Sequence, residues 1–259
     1  MLSLFGFNLN RFLNAWPGLI RYLINRRLFY AQSTKNGANE FSVGKPYPCL
    51  TDRFDRSGVA QGHYFHQDLL VAQLIYRDNP LRHLDVGSRI DGFVAHVAVF
   101  REIEVFDIRP LTSYTKHITF KQMDISNVDD IFAECTDSLS CLHALEHFGL
   151  GRYGDKVDFD GHIHGFRSLV KMLTKGGKLY FSVPIGKIQR VEFDAHRVFS
   201  LPYLNNMFRE NNLEIVSFHY VDDSGMLHEN ANAIDSDTFC LEYGCGIFEL
   251  TKEQTNTAR

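Results

Sequence analysis

Short apolar runs with strand character recur along the chain, and stretches with helical spacing separate most of them. The strand-like runs are LRHLDV (81–86), EIEVFDI (102–108), HITFKQMD (117–124), SLSCLHA (138–144), GKLYFSVP (177–184), LEIVSFHYV (213–221) and GIFELTK (246–252). The other stretches predict helices at 60–77, 90–99, 127–134, 161–174 and 200–211. This alternation predicts an α/β fold, a doubly wound and mostly parallel seven-stranded sheet. The last two runs have no helix between them, so they predict a C-terminal antiparallel hairpin.

The segment 1–30 is apolar at helical spacing and also rich in arginine. Pro17 predicts a break between two short helices, because proline removes a helix hydrogen bond. Such a basic amphipathic arm either packs on the body or on a second subunit of a homo-oligomer, or lies on an anionic membrane surface. Residues 31–58 predict a linker or surface loop, since they are rich in Gly, Pro, Ser and Thr. The main domain is then expected at 59–252, with a flexible tail at 253–259.

Composition and charge narrow the class of protein. The 259 residues are 44% hydrophobic and 22% charged with a net charge of −4, an ordinary globular balance. Five of the 27 basic residues lie in 1–39, where no acidic residue occurs, so the remaining body is acidic. An acidic body without a basic stripe argues against nucleic-acid binding. Five cysteines without a CxxC pair, and the lack of a convincing signal peptide or an apolar run of ~20 residues, predict a cytoplasmic protein with reduced thiols.

Polar residues follow the strand-like runs where a doubly wound sheet binds its ligands, beyond the carboxyl ends of the strands. Asp85 ends the first run, and Gly87 permits a tight turn after it. Asp107 ends the second run, where a carboxylate either accepts hydrogen bonds from both ribose hydroxyls of a nucleoside or merely ends the strand. Asp124 ends the third run, where it either accepts an adenine amino proton or caps a helix.

Three strings carry a family resemblance, namely EHFGLGRYGD (146–155), FSVPIG (181–186) and FDAHRVFS (193–200). With these strings, HALEH (143–147) and LTKGGKLYFSVP (173–184), the chain resembles the class I S-adenosylmethionine-dependent methyltransferases over roughly 60–252. More narrowly, it resembles domain-of-unknown-function family 268, a branch of that fold. The resemblance implies S-adenosylmethionine as cofactor. It implies cofactor contacts at Asp85, Gly87, Ser88, Asp107, Ile108, Asp124, Ile125 and His143.

The loop GSRIDG (87–92) departs from the methyltransferase pattern. Arg89 stands where a second glycine is expected, although Gly92 follows. The loop therefore either approaches the amino-acid half of the cofactor differently or binds another nucleoside ligand. Dinucleotide binding is disfavoured, because the loop lacks the GxGxxG spacing that brings a helix N-terminus to a pyrophosphate.

The segment HALEHFGLGRYGD (143–155) concentrates candidate catalytic residues. His143 and His147 have the i, i+4 spacing of zinc proteases, but His143 is expected to end a strand, so a helical metal motif does not apply. No metal ligands are predicted on this ground. The favoured interpretation is an acceptor pocket in which His147, or His143 as second choice, removes a proton. Glu146 or Asp155 would orient the imidazole.

Substrate contacts are expected around the same loop. The candidates are Arg152, Tyr153, Asp155, His196 and Arg197. Arg152 can bind a carboxylate or phosphate with two hydrogen bonds. The structural alternative is an ion-pair network of Glu146, Arg152 and Asp155 that only holds the loop in shape.

These observations predict a methyltransferase that acts on a small polar acceptor, with O-methylation favoured. A sugar or glycan precursor is the suggested acceptor, from the family resemblance and from an N-terminal arm that could dock near lipid-linked substrates. Two alternatives stay open. One is a methyltransferase-fold binding module without catalysis, which Arg89 favours. The other is a metal-dependent hydrolase built on the histidines of 143–196.

Overall fold

The computed structural model describes residues 9–35, 44–55, 57–126, 128–232 and 240–253. The chain divides into two compact units, Met1–Val59 and Ala60–Arg259. Of the tail expected at 253–259, only residue 253 lies within the described residues. Among the described residues, none of the helices combines the length and apolar character that a membrane crossing requires.

The described residues of the first unit, 9–35, 44–55 and 57–59, contain one long helix, α1 (Leu9–Lys35), and a single 3₁₀ turn at Asp52–Phe54. The predicted break at Pro17 is wrong, because Pro17 lies inside the continuous helix. Proline withholds only one hydrogen bond, and its fixed φ is compatible with helix. Gly18 packs against the main chain of Leu50, where any added side chain would collide with the carbonyl oxygen.

The second unit is built on one eight-stranded sheet. Its strands are β1 (His83–Val86), β2 (Ile103–Asp107), β3 (Ile118–Gln122), β4 (Thr136–Leu142), β5 (Leu173–Ile185), β8 (Leu213–Val221), β9 (Leu227–His228) and β10 (Gly244–Lys252). A separate antiparallel hairpin consists of β6 (Arg190–Glu192) and β7 (His196–Val198). The sheet order is β3-β2-β1-β4-β5-β10-β8-β9. Strands β1 to β5 are parallel, and β10 runs antiparallel between β5 and β8.

Helices cover both faces of this sheet. They are α2 (His63–Asp78), α3 (Ala95–Ala98) preceded by a π turn (Ile90–Val94), α4 (Gly161–Met172) and α5 (Leu201–Glu210). One buried cluster joins α2 and α3 to the sheet through side chains such as Ile75 and Val97. The other joins α4 and α5 through Phe166 and Phe208. The predicted α/β doubly wound class, with its antiparallel C-terminal strand, is therefore confirmed.

Two expectations about the elements are wrong. The sheet has eight strands, because the two-residue strand β9 pairs with β8 at the edge. The helix expected at 127–134 is reduced to one 3₁₀ turn at Asp130–Phe132. The carbonyl of Val128, at its start, accepts a hydrogen bond from Lys171 Nζ at 2.8 Å. Glu134 has a positive φ of 50°, which a right-handed helix does not allow.

Candidate active site

The carboxyl ends of β1, β2 and β4 open onto one cavity of about 510 Å³, a volume typical of small-molecule sites. The predicted residues on its wall are Gly87, Ser88, Asp107, Ile108, Asp124, Ile125, His143, His147, Tyr153 and Asp155. The predicted residues that do not line it are Asp85, Glu146, Arg152, His196 and Arg197. The sequence-derived set thus separates into wall residues and residues that support the wall.

The turn after β1 depends on Gly87 and Asp85. Gly87 has a φ of +73°, and a Cβ there would lie 2.9 Å from the Cβ of Ala144, so only glycine fits without a shift. The Asp85 carboxylate accepts hydrogen bonds from the main-chain N–H of Ser88 and from the hydroxyls of Ser88 and Ser140. Asp85 is fully buried. The structure therefore gives Asp85 the role of holding the loop from below, in place of the expected cofactor contact.

The environment of Asp85 makes its protonation sensitive to pH. Burial raises the pKa of this carboxyl from 3.8 to about 7, against the opposing effect of the three hydrogen bonds from Ser140 and Ser88. A folded-state pKa above the unfolded value means that ionisation weakens the fold. The stabilisation is complete below about pH 4 and is lost as the pH rises through about 7.

Asp85→Asn is expected to remove this pH dependence, because asparagine can accept from Ser88 N–H and donate to the hydroxyls without ionising. Between pH 5 and pH 7, the free energy of unfolding of the wild type should fall relative to that of the variant by about 1 kcal/mol per pH unit. Urea unfolding of both proteins at pH 5, 6 and 7 measures this difference. A difference that stays constant with pH would contradict the assignment.

Asp107 ends β2 on the cavity wall, but an arginine already pairs with it. The Asp107 carboxylate accepts from the main-chain N–H of Arg109 at 2.8 Å and from its guanidinium at 2.5 and 3.0 Å. The same guanidinium lies over the ring of Tyr153, 4.7 Å from its centroid. Arg109 therefore lies across this end of the cavity, and a ligand that uses both Asp107 oxygens must displace it.

Asp124, at the third acidic position, is bound within the protein through one carboxylate oxygen. One oxygen of Asp124 accepts from the main-chain N–H of Ser126, which closes a local turn and not the helix cap that was the alternative. Asp124 is exposed and lines the cavity. Ile108 is half-buried and Ile125 is buried, so both contribute apolar surface beside the two acids.

The loop after β4 starts with a strained histidine. His143 has a φ of +49°, and its main-chain N–H bonds to the carbonyl of Ser182. Its Nδ1 lies 2.8 Å from Oε1 of the buried Glu146. Burial opposes protonation, but the neighbouring Cys245 and Glu146 raise the pKa of His143 well above its ordinary value. His143 Nε2 and Glu146 Oε2 are buried without a hydrogen bond that satisfies them.

His147 has the geometry expected of a neutral base. Its Nδ1 lies 2.7 Å from the carbonyl oxygen of Ala195, which can only accept, so Nδ1 carries the proton. Nε2 then has the lone pair, and it lies 3.7 Å from Oε1 of Glu146. Burial lowers the pKa of His147 below 6.5, although Glu146 acts in the opposite direction. The side chain is 12% exposed and borders the cavity.

The expected ion-pair network does not form within the loop 143–155, which the structure describes throughout. Asp155 accepts from the main-chain N–H groups of Gly149, Gly151 and Tyr153. Arg152 donates to the carbonyl of Ala195 at 2.8 Å. The loop is therefore shaped by a carboxylate that binds main-chain N–H groups, and Asp155 does not orient His147.

His196 and Arg197 lie outside the cavity, contrary to their expected place in substrate binding. Arg197 is only 5% exposed, and its guanidinium donates to the carbonyls of Glu146, Phe148 and Phe159. These three hydrogen bonds hold the loop 143–155 on the side away from the cavity. His196 lies 3.3 Å from the carboxylate of Glu192 within the hairpin.

Several wall residues were missed by the sequence analysis. Arg109 and Tyr64 both line the cavity, and Arg89 lies over the ring of Tyr64 at 5.1 Å. Arg109 follows Asp107 by two residues, so the sequence could have indicated that Arg109 lies near the same cavity. Tyr64 belongs to α2, and no sequence pattern relates the start of that helix to the strand ends.

The sequence profile of a family described as "Caenorhabditis protein of unknown function, DUF268" matches residues 102–238, more than half of the chain. The chain belongs to the DUF268 family. No curated protein matches the sequence. The matched segment of this DUF268 chain includes β2 to β8, with Asp107 and the whole loop 143–155.

Solved structures show the same fold as this DUF268 protein. A 1,6-didemethyltoxoflavin-N1-methyltransferase from Burkholderia thailandensis, solved with S-adenosylhomocysteine, is 13% identical, with a TM-score of 0.53 over 90% of each chain. An S-adenosylmethionine-dependent methyltransferase from Clostridium acetobutylicum is 12% identical, with a TM-score of 0.51 over 79% of this chain and 97% of that chain. The [4+2]-cyclase SpnF is 14% identical, with a TM-score of 0.52 over 83% and 86%. The fold is that of class I methyltransferases. The cyclase SpnF shows that a protein of this fold can be named for a different reaction.

Proposed function

We propose that this protein is an S-adenosylmethionine-dependent methyltransferase that methylates a hydroxyl group of a small polar acceptor. One observation carries the proposal: Asp107, Asp124 and the neutral His147 share the wall of a single cavity at the carboxyl ends of the strands. Two solved structures of similar fold are methyltransferases, one of them with bound S-adenosylhomocysteine.

The residues present fit a nucleoside cofactor. The Asp107 carboxylate suits two ribose hydroxyls, and the exposed Asp124 suits an adenine amino group. Ile108 and Ile125 provide apolar surface for the base. Gly87 leaves the main chain of the β1 turn open to approach. Arg109 would turn away from Asp107 when the ribose binds.

His147 is the proposed general base of the pocket. Its Nε2 can take the acceptor's hydroxyl proton, and the resulting imidazolium is stabilised by Glu146 at 3.7 Å and by the bond from Nδ1 to the Ala195 carbonyl. When bound, S-adenosylmethionine would supply a methyl group, with its carbon–sulfur bond breaking as the carbon–oxygen bond forms and the electron pair staying on sulfur. The products are a methyl ether, S-adenosylhomocysteine and a proton on His147 that passes to water.

Cofactor binding is the first test. Isothermal titration is expected to show binding of both S-adenosylmethionine and S-adenosylhomocysteine, and Asp107→Asn should weaken both by about tenfold to a hundredfold, since it removes charge-assisted hydrogen bonds worth about 1.5–3 kcal/mol. Glu104→Gln is the matched control, because Glu104 lies on the same strand, also pairs with an arginine (Arg82) and does not line the cavity. No binding of either compound by the wild type would refute the proposed function.

The acceptor class is proposed to be a sugar or glycan precursor. Arg89 and Arg109 supply cationic groups on the cavity wall for an anionic part of such a molecule. The fold also occurs in a [4+2]-cyclase, so a screen of hydroxylated acceptors with labelled cofactor is needed to establish methyl transfer. Cofactor binding without turnover on any acceptor in that screen would favour a binding module.

The helix α1 is proposed to hold the protein at an anionic membrane surface. Its own unit leaves Trp16 70% exposed and Phe12 64% exposed, and Arg26 and Arg27 are exposed on the same helix. An amphipathic helix of this composition buries its apolar side chains at a lipid interface, and each basic residue adds about 1 kcal/mol on an anionic surface.

Trp16 provides a direct readout of membrane binding, because it is the single tryptophan of the chain. Its fluorescence is expected to shift to shorter wavelength with phosphatidylserine-containing vesicles and to stay unchanged with purely phosphatidylcholine vesicles. Arg26→Gln with Arg27→Gln should weaken vesicle binding by about tenfold or more. Lys45→Gln with Arg53→Gln is the control, since both residues are exposed outside α1. Equal binding to both kinds of vesicle would contradict the electrostatic part of the proposal.

A further inference from the structure

Three potential metal ligands from distant parts of the sequence meet beside the cavity. They are His63 at the first position of α2, His143 after β4, and Cys245 on β10. One ligand atom from each lies within 4.8 Å of the other two. Only His143 belongs to the histidine set that the sequence brought forward, so this cluster is a different one.

The side chains of His63, His143 and Cys245 are all buried or half-buried. Cys245 is fully buried, the side chain of His143 is 4% exposed, and His63 is half-buried. His143 Nε2 is buried without a hydrogen bond that satisfies it. A buried polar atom in this state normally costs about 1–3 kcal/mol, so a partner bound at Nε2 would remove this cost.

A carboxylate already fixes the tautomer that metal binding requires. Oε1 of Glu146 accepts from Nδ1 of His143 at 2.8 Å, so Nε2 is the nitrogen that gives up its proton and presents a lone pair when a metal ion binds. A histidine that binds a metal through one nitrogen and a carboxylate through the other is the usual arrangement around protein-bound zinc. Glu146 is itself 1% exposed, and burying its carboxylate costs free energy that packing alone does not offset.

We propose that His63, His143 and Cys245 form a His₂Cys binding site for a transition-metal ion, with Zn²⁺ as the favoured ion. Two imidazoles and one thiolate suit a borderline-soft divalent ion, which binds nitrogen at about 2.0–2.1 Å and sulfur at about 2.3 Å. Tetrahedral coordination at these bond lengths places ligand atoms about 3.3–3.6 Å apart, so separations within the cluster need to contract by up to about 1.5 Å. Cys245 loses its thiol proton on binding.

Three protein ligands leave one position of a tetrahedral ion for water or for a group of a bound molecule. His143 lies on the cavity wall, together with Tyr64 from the start of α2. The site is therefore next to the proposed acceptor pocket and ties α2 to the carboxyl end of β4 and the amino end of the antiparallel β10. It does not depend on methyl transfer, and it can exist whether or not the protein binds S-adenosylmethionine.

Cobalt is a suitable probe, because a cysteine thiolate bound to Co²⁺ gives a charge-transfer absorption band. The full chain, treated with chelator and carrying Cys49→Ser and Cys240→Ser to remove its exposed cysteines, is titrated with Co²⁺. We expect one Co²⁺ per chain, a thiolate band, and displacement of Co²⁺ by Zn²⁺. Cys245→Ala should abolish the band, and Cys135→Ala should leave it unchanged.

Two further variants test the ligand set without removing the thiol. His63→Ala should weaken Co²⁺ binding at least tenfold, and the half-buried place of His63 at a helix start makes this change the least disruptive to folding. Glu146→Gln should weaken it by about tenfold to a hundredfold, as expected for a residue that orients a ligand. Circular-dichroism melting confirms that each variant folds. Three results would overturn the proposal and leave a proton shared by Cys245 and His143: failure of the parent protein to take up Co²⁺, a thiolate band in folded Cys245→Ala protein, or unweakened Co²⁺ binding by folded His63→Ala protein.

Discussion

His147→Ala is expected to lower kcat by about 10²- to 10⁴-fold while the dissociation constant of S-adenosylhomocysteine stays unchanged. The factor is the usual contribution of a positioned general base. His147 is the histidine whose neutral form is fixed in the structure, since Nδ1 donates to the Ala195 carbonyl and burial lowers the pKa. Steady-state rates on an acceptor identified by screening, with titration calorimetry of the same protein, measure the two quantities.

The pH profile separates a base from a residue that only shapes the loop. The rate should fall as the pH drops through the pKa of His147, which lies below 6.5, because the protonated ring cannot accept a proton. His147→Ala should lack this acid limb, and added imidazole should restore part of the rate. His164→Ala is the control, since His164 bonds to Asp158 and does not line the cavity. An unchanged rate in His147→Ala would remove this residue from the mechanism.

Arg197→Met is expected to lower the free energy of unfolding by about 3 kcal/mol. The change leaves the carbonyls of Glu146, Phe148 and Phe159 without their donor, at a cost of about 1–3 kcal/mol each. Relief from the burial of a guanidinium offsets part of this cost. Arg197→Lys should recover only a minor part, because a compact ammonium cannot reach three carbonyls as a planar fork does. Urea unfolding measures all three proteins.

Arg152→Met is the matched control for the loss of an arginine from the same region. Arg152 is exposed and donates to a single carbonyl, so its replacement should change the free energy of unfolding by less than about 1 kcal/mol. A loss below 1 kcal/mol for Arg197→Met would show that Arg197 does not fasten the loop.

The positions of Asp107 and Asp124 followed from the sequence because they depend on local pattern alone. Asp107 ends β2 and Asp124 follows β3 by two residues, both strands have apolar runs visible in the chain, and parallel strands bring their carboxyl ends to one edge. The order of strands and helices followed for the same reason. In place of the helix expected at 127–134, the carbonyl of Val128 accepts from Lys171 on a different element. Such a tertiary contact leaves no trace in local periodicity.

Contacts between side chains that are distant in the sequence could not be inferred from local pattern. Asp85 has the sequence position of a ligand contact, yet the hydroxyl of Ser140 on β4 makes it a buried support of the loop. Arg197 has the charge expected of a residue that binds an anionic substrate. Its three partners are main-chain carbonyls, which every residue type has, so the sequence does not reveal them. His63 and Cys245 come from opposite ends of the domain sequence, and only the sheet order places β10 near β4.

The carbonyl of Ala195 accepts from both His147 and Arg152, and it belongs to the turn between β6 and β7. This acceptor is a main-chain atom, so no side-chain replacement at position 195 deletes it. An alanine scan of the hairpin would therefore pass over the group that orients the proposed base. Sequence drift in this turn is tolerable for the same reason, as long as the turn keeps its length. Insertions and deletions between 192 and 196, rather than substitutions, are the changes by which a descendant of this protein would lose the orientation of His147.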